Sequence, residues 1–151
     1  DDYVQVPGTS SYVKTVVTTT KTWNLAEADC EADGGRLAVD TNQPIHDHMT
    51  QMILRLGIYS DIPGGTGYFW IGGRSTIDQY HWRLLDGTLL NYTEKGEGLF
   101  HTNEPFLDGG CLMIAVFKAP DSTCCSGRWA DNYCSITKWS SGYFCEIRLP
   151  A

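Results

Sequence analysis

Hydrophobic and polar positions along the chain switch period several times, and each switch predicts an element. Residues 1–20 end in a β-branched, alternating run, Tyr12-Val13-Lys14-Thr15-Val16-Val17-Thr18, which predicts a strand. Thr22 is placed to cap a helix beginning at Trp23. Trp23, Ala26 and Cys30 then share one helical face, so Cys30 is expected to point inward. Gly34-Gly35 stops this helix, and Leu37-Ala38-Val39 reads as a short link. Asn42 and Pro44 start a second helix that Gly57 ends. Its apolar positions Ile45, Met49, Met52, Ile53 and Leu56 make one stripe, the signature of core packing.

Past this helix the pattern turns to short buried runs. Residues 59–67 form a Gly/Pro-rich loop. Its Gly64-Gly65-Thr66-Gly67 is followed by a strand, so the helix N-terminus that a phosphate cradle needs is missing. Tyr68-Phe69-Trp70-Ile71-Gly72-Gly73 predicts a buried strand with a glycine turn. His81-Trp82 and Asp86-Gly87 predict a further strand and a turn. Periodicity then fails from Asn91 to Gly110. A loop this long inside a compact domain is expected to be functional or disordered. Cys111 to Phe117 is the longest unbroken apolar run.

Composition narrows the partners. The length of 151 residues fits one domain, residues 1–151 with a core over about 12–148. Sixteen glycines and six prolines agree with many turns. A formal charge of −7 argues against nucleic acid, which needs a Lys/Arg footprint, and against anionic membrane surfaces. The apolar run at Cys111 is far too short to span a bilayer. No N-terminal apolar h-region is present, so secretion implies a form whose signal has been removed. Six cysteines in a turn-rich domain favour disulfides and an oxidising compartment. Zinc would need Cys-x-x-Cys or Cys…His spacings, and neither occurs. The triplet Asn91-Tyr92-Thr93 is a glycosylation sequon at Asn91, in agreement with an extracellular protein.

Catalytic candidates fare poorly. His46 and His48 are two apart on a helix, do not share a face, and read as surface histidines. His81 and His101 have no nucleophile motif beside them. The carboxylate pairs Glu94/Glu97 and Asp29/Glu31 sit among polar residues and read as solvated charges. No hydrolase or metalloprotease motif occurs, so the chain is not expected to be an enzyme. Trp139 stays open between a ligand-stacking platform and a core filler.

Several ordered groups carry a family resemblance. They are Trp23-x-x-Ala26-x-x-x-Cys30 with Gly34-Gly35-Arg36-Leu37-Ala38, then Trp70-Ile71-Gly72-Gly73, then Asp86-Gly87. Glu104-Pro105, Cys111, Trp129-x-Asp131, Cys134 and Cys145-Glu146 complete the set. In this order, over about Tyr12 to Arg148, they resemble the C-type lectin-like domain. The resemblance implies an α+β fold in which two helices pack on small antiparallel sheets beside a long loop region, stapled by disulfides. It implies the pairs Cys30–Cys145 and Cys111–Cys134. The family's extra N-terminal cysteine pair is absent. Cys124 and Cys125 are left with three readings: a vicinal bond Cys124–Cys125, pairing with another chain, or free thiols. Strict pairing within the chain leaves the vicinal bond, unless the frame is rearranged.

Lectins of this family hold calcium at the long loop through Glu and Asn of a Glu-Pro-Asn motif, a second Glu, and the Asn-Asp of Trp-Asn-Asp. Calcium takes about six to eight oxygens, and a sugar diol supplies two of them. Here Glu104 matches the first Glu, Phe106 replaces Asn, Gly109 replaces the second Glu, and Ala130 replaces the Asn before Asp131. Asn103, Asp108 and Asn132 are near enough in sequence to rebuild a different site with Glu104 and Asp131. The candidate ligand-binding set is therefore Asn103, Glu104, Asp108, Asp131 and Asn132. Glu104, Asp108 and Asp131 are the candidate calcium ligands. The competing reading makes these loop polars solvated and keeps Trp129 to Asp131 for packing. The functional expectation is a secreted module that recognises glycans, microbial ones among them, through a degenerate calcium site. The alternative is a calcium-independent lectin-like domain that binds a protein ligand, with Phe100, Phe106 and Leu107 as anchors.

Overall fold

The computed structural model describes residues 2–57, 67–75, 81–91, 110–116, 128–137 and 140–149. Helix α1 spans Trp23–Ala32 and starts where expected: the Thr22 hydroxyl accepts the Leu25 N–H at 3.3 Å. Trp23, Ala26 and Cys30 are its buried residues. Helix α2 spans Gln43–Leu56, with the Asn42 side chain accepting the Ile45 N–H at 3.0 Å. Gly57 closes it in the left-handed conformation at φ 68°, which only glycine adopts without strain. Ile45, Met49 and Ile53 are fully buried and Met52 packs partly against them. Leu56, the last residue of the helix, departs from the expected stripe and is 42% exposed.

The strands are β1 (Val4–Gln5), β2 (Ser11–Val17), β3 (Arg36–Leu37), β4 (Tyr68–Ser75), β5 (His81–Leu84), β6 (Leu89–Asn91), β7 (Cys111–Ala115), β8 (Arg128–Asn132) and β9 (Ser140–Arg148). Their main path runs β1-β2-β9-β4-β5-β6, with β3 added on β9, and β7 on β4 followed by β8. The sheet is mixed rather than purely antiparallel, since β4 runs parallel to β9. The segment expected as a link begins as β3, whose Arg36 and Leu37 pair with Glu146 and Cys145. Two residues are too few to show a period in sequence. Asn91, expected at the start of the long loop, instead closes β6 opposite His81.

Both faces of this sheet are covered. Phe69, Ile71, Leu112, Ile114, Trp129 and Phe144 pack on the side of α2 with Ile45, Met49 and Ile53. Trp70, Met113, Ala130, Tyr143 and Cys145 pack on the other side with Trp23, Ala26 and Cys30 of α1. Alternate residues thus enter opposite cores, as strand geometry requires. This explains why Tyr68–Ile71 and Cys111–Val116 are apolar at every position rather than every second one.

Cys30–Cys145 and Cys111–Cys134 are both bonded, with Cα separations of 5.3 and 5.2 Å. They close sequence separations of 115 and 23 residues. The chain-entropy model credits such loops with about 5 and 3.4 kcal/mol. Cys124, Cys125 and Trp139 lie outside the described residues.

Two predictions follow from the packing around β9. Gly142 sits at φ 155°, and a Cβ there would meet the Val16 carbonyl oxygen at 2.0 Å. Gly142→Ala should therefore destabilise by more than about 2 kcal/mol, as backbone strain and overpacking combine. Denaturant unfolding that left the variant within experimental error of wild type would contradict this.

The Tyr143 hydroxyl donates to Asp29 Oδ2 at 2.8 Å. That bond, with Lys21 beside it, holds the Asp29 carboxyl below its ordinary range. Burial first, and then Asp29, push the Tyr143 hydroxyl up. A depressed carboxyl stabilises above its unfolded value and loses that contribution as pH falls below about 4. A raised phenol stabilises below its unfolded value and loses it as pH climbs above about 10. Tyr143→Phe should thus lower the Tm at neutral pH. The gap to wild type should narrow at both extremes in a series of melts, and a gap constant from pH 3 to 11 would refute the linkage.

Candidate functional site

The Trp129-to-Cys134 segment is built on β8, which pairs with β7 over Ala115↔Arg128 through Cys111↔Asn132. Strand alternation sends Trp129 and Asp131 to the α2 side, and Ala130 and Asn132 to the α1 side. All four are buried, at 2–4% exposure. Ala130 lies opposite Met113 in the cluster that also holds Trp23 and Cys111. The Asn132 amide is engaged locally: its Oδ1 accepts the Tyr133 N–H at 2.9 Å and its Nδ2 faces Met113 Sδ at 3.8 Å. Of the sequence-derived candidates, the fold brings Asp131 and Asn132 together on one strand. Asn103, Glu104 and Asp108 lie outside the described residues, as do Phe100, Phe106 and Leu107.

Trp129 is oriented by a contact that sequence alone did not suggest. Its Nε1–H donates to Asp40 Oδ2 at 3.0 Å, and the same oxygen meets His46 Nδ1 at 2.7 Å. Asp40 is 3% exposed. A buried carboxylate is costly unless such donors satisfy it. His46 is therefore not the surface histidine its sequence setting suggested, but the edge of a buried network between α2 and β8. The pairing spans 89 residues, so only the tertiary fold brings it together. His48, two residues further along and so about 200° round the helix from His46, has its imidazole pushed down by burial and then by Arg55.

Tyr133 is the other residue that sequence reasoning missed. It follows Asn132 directly and is 55% exposed, unlike the four buried residues before it. An exposed phenol beside a disulfide-anchored strand end offers an apolar face with a polar tip. The alternation of β8 in, loop out, is the signal that could have found it.

The calcium fit can be tested on these residues. Ala130 brings no side-chain oxygen, and the Asn132 oxygen is occupied by a backbone donor. Among the described residues no three of His, Cys, Asp and Glu converge to hold a metal ion. Asp131 alone does not approach the oxygen count calcium takes, so the described donor set does not fit the ion.

The geometry defines a disulfide-framed α+β domain with a sheet covered on both faces. Residues 19–147 match the sequence model of the lectin C-type domain, and the chain belongs to that family. It is also similar to the type-2 ice-structuring protein of Hemitripterus americanus, at 32% identity over 75 residues. That match covers 50% of this chain and 39% of that protein, so the chain spans well under two thirds of this relative. Two solved structures share the fold. The SPL-1–GlcNAc complex superposes at a TM-score of 0.69 with 18% identity, covering 97% of this chain and 93% of that one. A calcium-independent type II antifreeze protein superposes at 0.65 with 21% identity, covering 98% and 92%.

Thermal melts in calcium and in chelator test the fit directly. A site with a Kd a hundredfold below the calcium level would add about 2.7 kcal/mol, moving the Tm of a domain this size by several degrees. The expected result is agreement within a degree. A shift of several degrees would place a calcium site on residues beyond β7 and β8.

Proposed function

We propose that the chain is an extracellular carbohydrate-recognition domain, a single domain over residues 1–151, that binds glycans without a calcium bridge at Trp129–Asp131. The observation that carries this reading is Ala130: the position that family lectins give to a calcium-binding Asn is filled by a buried methyl group facing α1. Family membership supports binding over catalysis. The similarity to a structure solved with GlcNAc supports a sugar ligand, and the similarity to a calcium-independent relative supports a metal-free mode. The two disulfides support an oxidising, extracellular setting.

In this reading the exposed ring of Tyr133 stacks on a sugar face. Asn103 and Glu104 supply hydrogen bonds to it, and glycans of microbial surfaces are within its range. The domain carries out no catalysis. Asn91 bears the glycan implied by its sequon.

Glycan-array binding in chelator is the test. Binding should persist there and fall at least tenfold in Tyr133→Ala, whose exposed site leaves the fold intact. Binding that vanished in chelator and returned with calcium would overturn the proposal. Failure to bind any glycan, with retention of a protein ligand, would favour the protein-binding alternative.

A further inference from the structure

The register of the sheet places two arginines face to face. Arg74 of β4 lies directly opposite Arg83 of β5, so both side chains rise from the same face, with Cβ atoms about 5 Å apart. Like charges directly opposite one another are destabilising in an antiparallel pair. The chain nevertheless carries a net charge of −7 and has 18 acidic residues with which to answer them. Neither arginine has a carboxylate partner among the described residues, whereas Lys14, Lys21 and Arg148 pair with Asp33, Asp29 and Glu146. The acid nearest to Arg83 in sequence, Asp86, is turned elsewhere, and Asp78, the nearest to Arg74, lies outside the described residues. The Asp86 Oδ1 accepts the Thr88 N–H at 3.0 Å, and the cations acting on it are Arg148 and Arg36.

The two guanidinium groups border a cleft of about 380 Å³ lined by Arg74, Ser75, Arg83, Leu84, Leu85 and Gly87. The Arg74 guanidinium itself lies over the Trp23 ring, its Cζ 5.3 Å from the ring centre, and a guanidinium held against an aromatic face keeps its in-plane N–H donors for an anion. The Ser75 side chain adds a hydroxyl. The cleft is also placed where a glycan reader needs it. Arg74 pairs across β7 with Cys111, and Cys111 pairs with Asn132. Arg83, Arg74, Cys111 and Asn132 therefore form one row across four strands, about 14 Å end to end at the usual strand spacing. Tyr133 follows the far end of that row.

We propose that Arg74, Arg83 and Ser75 form an anion subsite that takes the sulfate or carboxylate group of an acidic glycan, held by bidentate guanidinium contacts. The inference rests on the glycan reading above and names the class of sugar. The anion relieves the repulsion between the two arginines, so binding and local stability are coupled. Planar guanidinium forks suit both oxyanions and hold them in a fixed geometry, which lysine does not.

The experiment measures full-length protein, disulfides intact, against one oligosaccharide prepared sulfated, carboxylated and uncharged. Both charged forms should bind at least tenfold more tightly than the uncharged form, and the difference should shrink as salt is raised from 50 to 300 mM. Whichever charged form binds better identifies the source of the anion. Arg83→Gln and Arg74→Gln should each remove most of the difference and leave binding of the uncharged form unchanged. Arg83→Lys should restore only part of it. Equal binding of charged and uncharged forms by the wild type, or a difference untouched by both substitutions, would overturn the subsite. A second readout needs no sugar. Sodium sulfate, against sodium chloride at matched ionic strength, should raise the Tm more in wild type than in Arg83→Gln, and equal shifts in the two proteins would count against the subsite. Loss of all glycan binding together with a sulfate effect confined to the wild type would sink the glycan reading while leaving the anion site standing.

Discussion

The buried carboxylate of Glu146 holds three parts of the chain at once. Its Oε1 accepts the Val39 N–H at 3.0 Å, and its Oε2 accepts the Ser11 hydroxyl at 2.6 Å and the Arg148 Nε–H at 2.7 Å. At 1% exposure this charge would be prohibitively costly without those donors. With them it ties β9 to the start of β2 and to the segment that enters α2. The neighbouring Cys145 binds α1 through Cys30. The chain passes so close at Gly35 that an added Cβ would meet the Glu146 carbonyl oxygen at 2.4 Å. One stretch of two residues thus ties together β2, both helices and the last strand. The position of β4, parallel to β9, and of β7 and β8 beyond it, is inherited from that hub.

Because the sheet hung on β9 is covered on both faces, its central strands obey packing before chemistry. Trp129, Ala130, Asp131 and Asn132 are buried whichever way they point. A polar side chain there must find a partner inside or cost several kcal/mol. Asp40 and His46 hold the Trp129 indole, and a backbone N–H answers Asn132. Ala130 needs no such answer. An alanine at this position is thus easy on the core, and the frame holds without a side-chain oxygen there. The motif persists because it packs.

Much of the fold was legible because its signals are local. Thr22 and Asn42 cap the two helices, Gly57 ends the second, and the spacing of Trp23, Ala26 and Cys30 sets an inward face. The family resemblance, carried by ordered motifs, supplied both disulfide pairs. What stayed hidden depends on contacts between distant segments. β3 has two residues and takes its identity from β9. Leu56 keeps helical spacing but is exposed at the end of its helix. His46 looked solvated because its partners, Asp40 and Trp129, come from a link and from a strand more than eighty residues away. The candidate site was legible only in part for the same reason. The residue types at 129–132 could be read, but not that all four face inward while Tyr133 faces out.

The same logic says where recognition chemistry can reside in such a domain. Interior positions of β7 and β8 are committed to two cores, so specificity has to come from places where the sheet meets solvent. Among the described residues those places include the strand end at Tyr133 and the exposed side chains where β4 meets β5. There Arg74 and Arg83 stand opposed, a pairing that intrachain energetics disfavour. In a domain with an acidic surplus, a pair of cations with no carboxylate partner among the described residues is a local departure from what folding alone would select. Consistency between local choices and the global fold is what stability favours, and departures from it concentrate where function is carried. The opposed arginines are such a departure, and one row across four strands links them to Asn132 of the motif at 129–132.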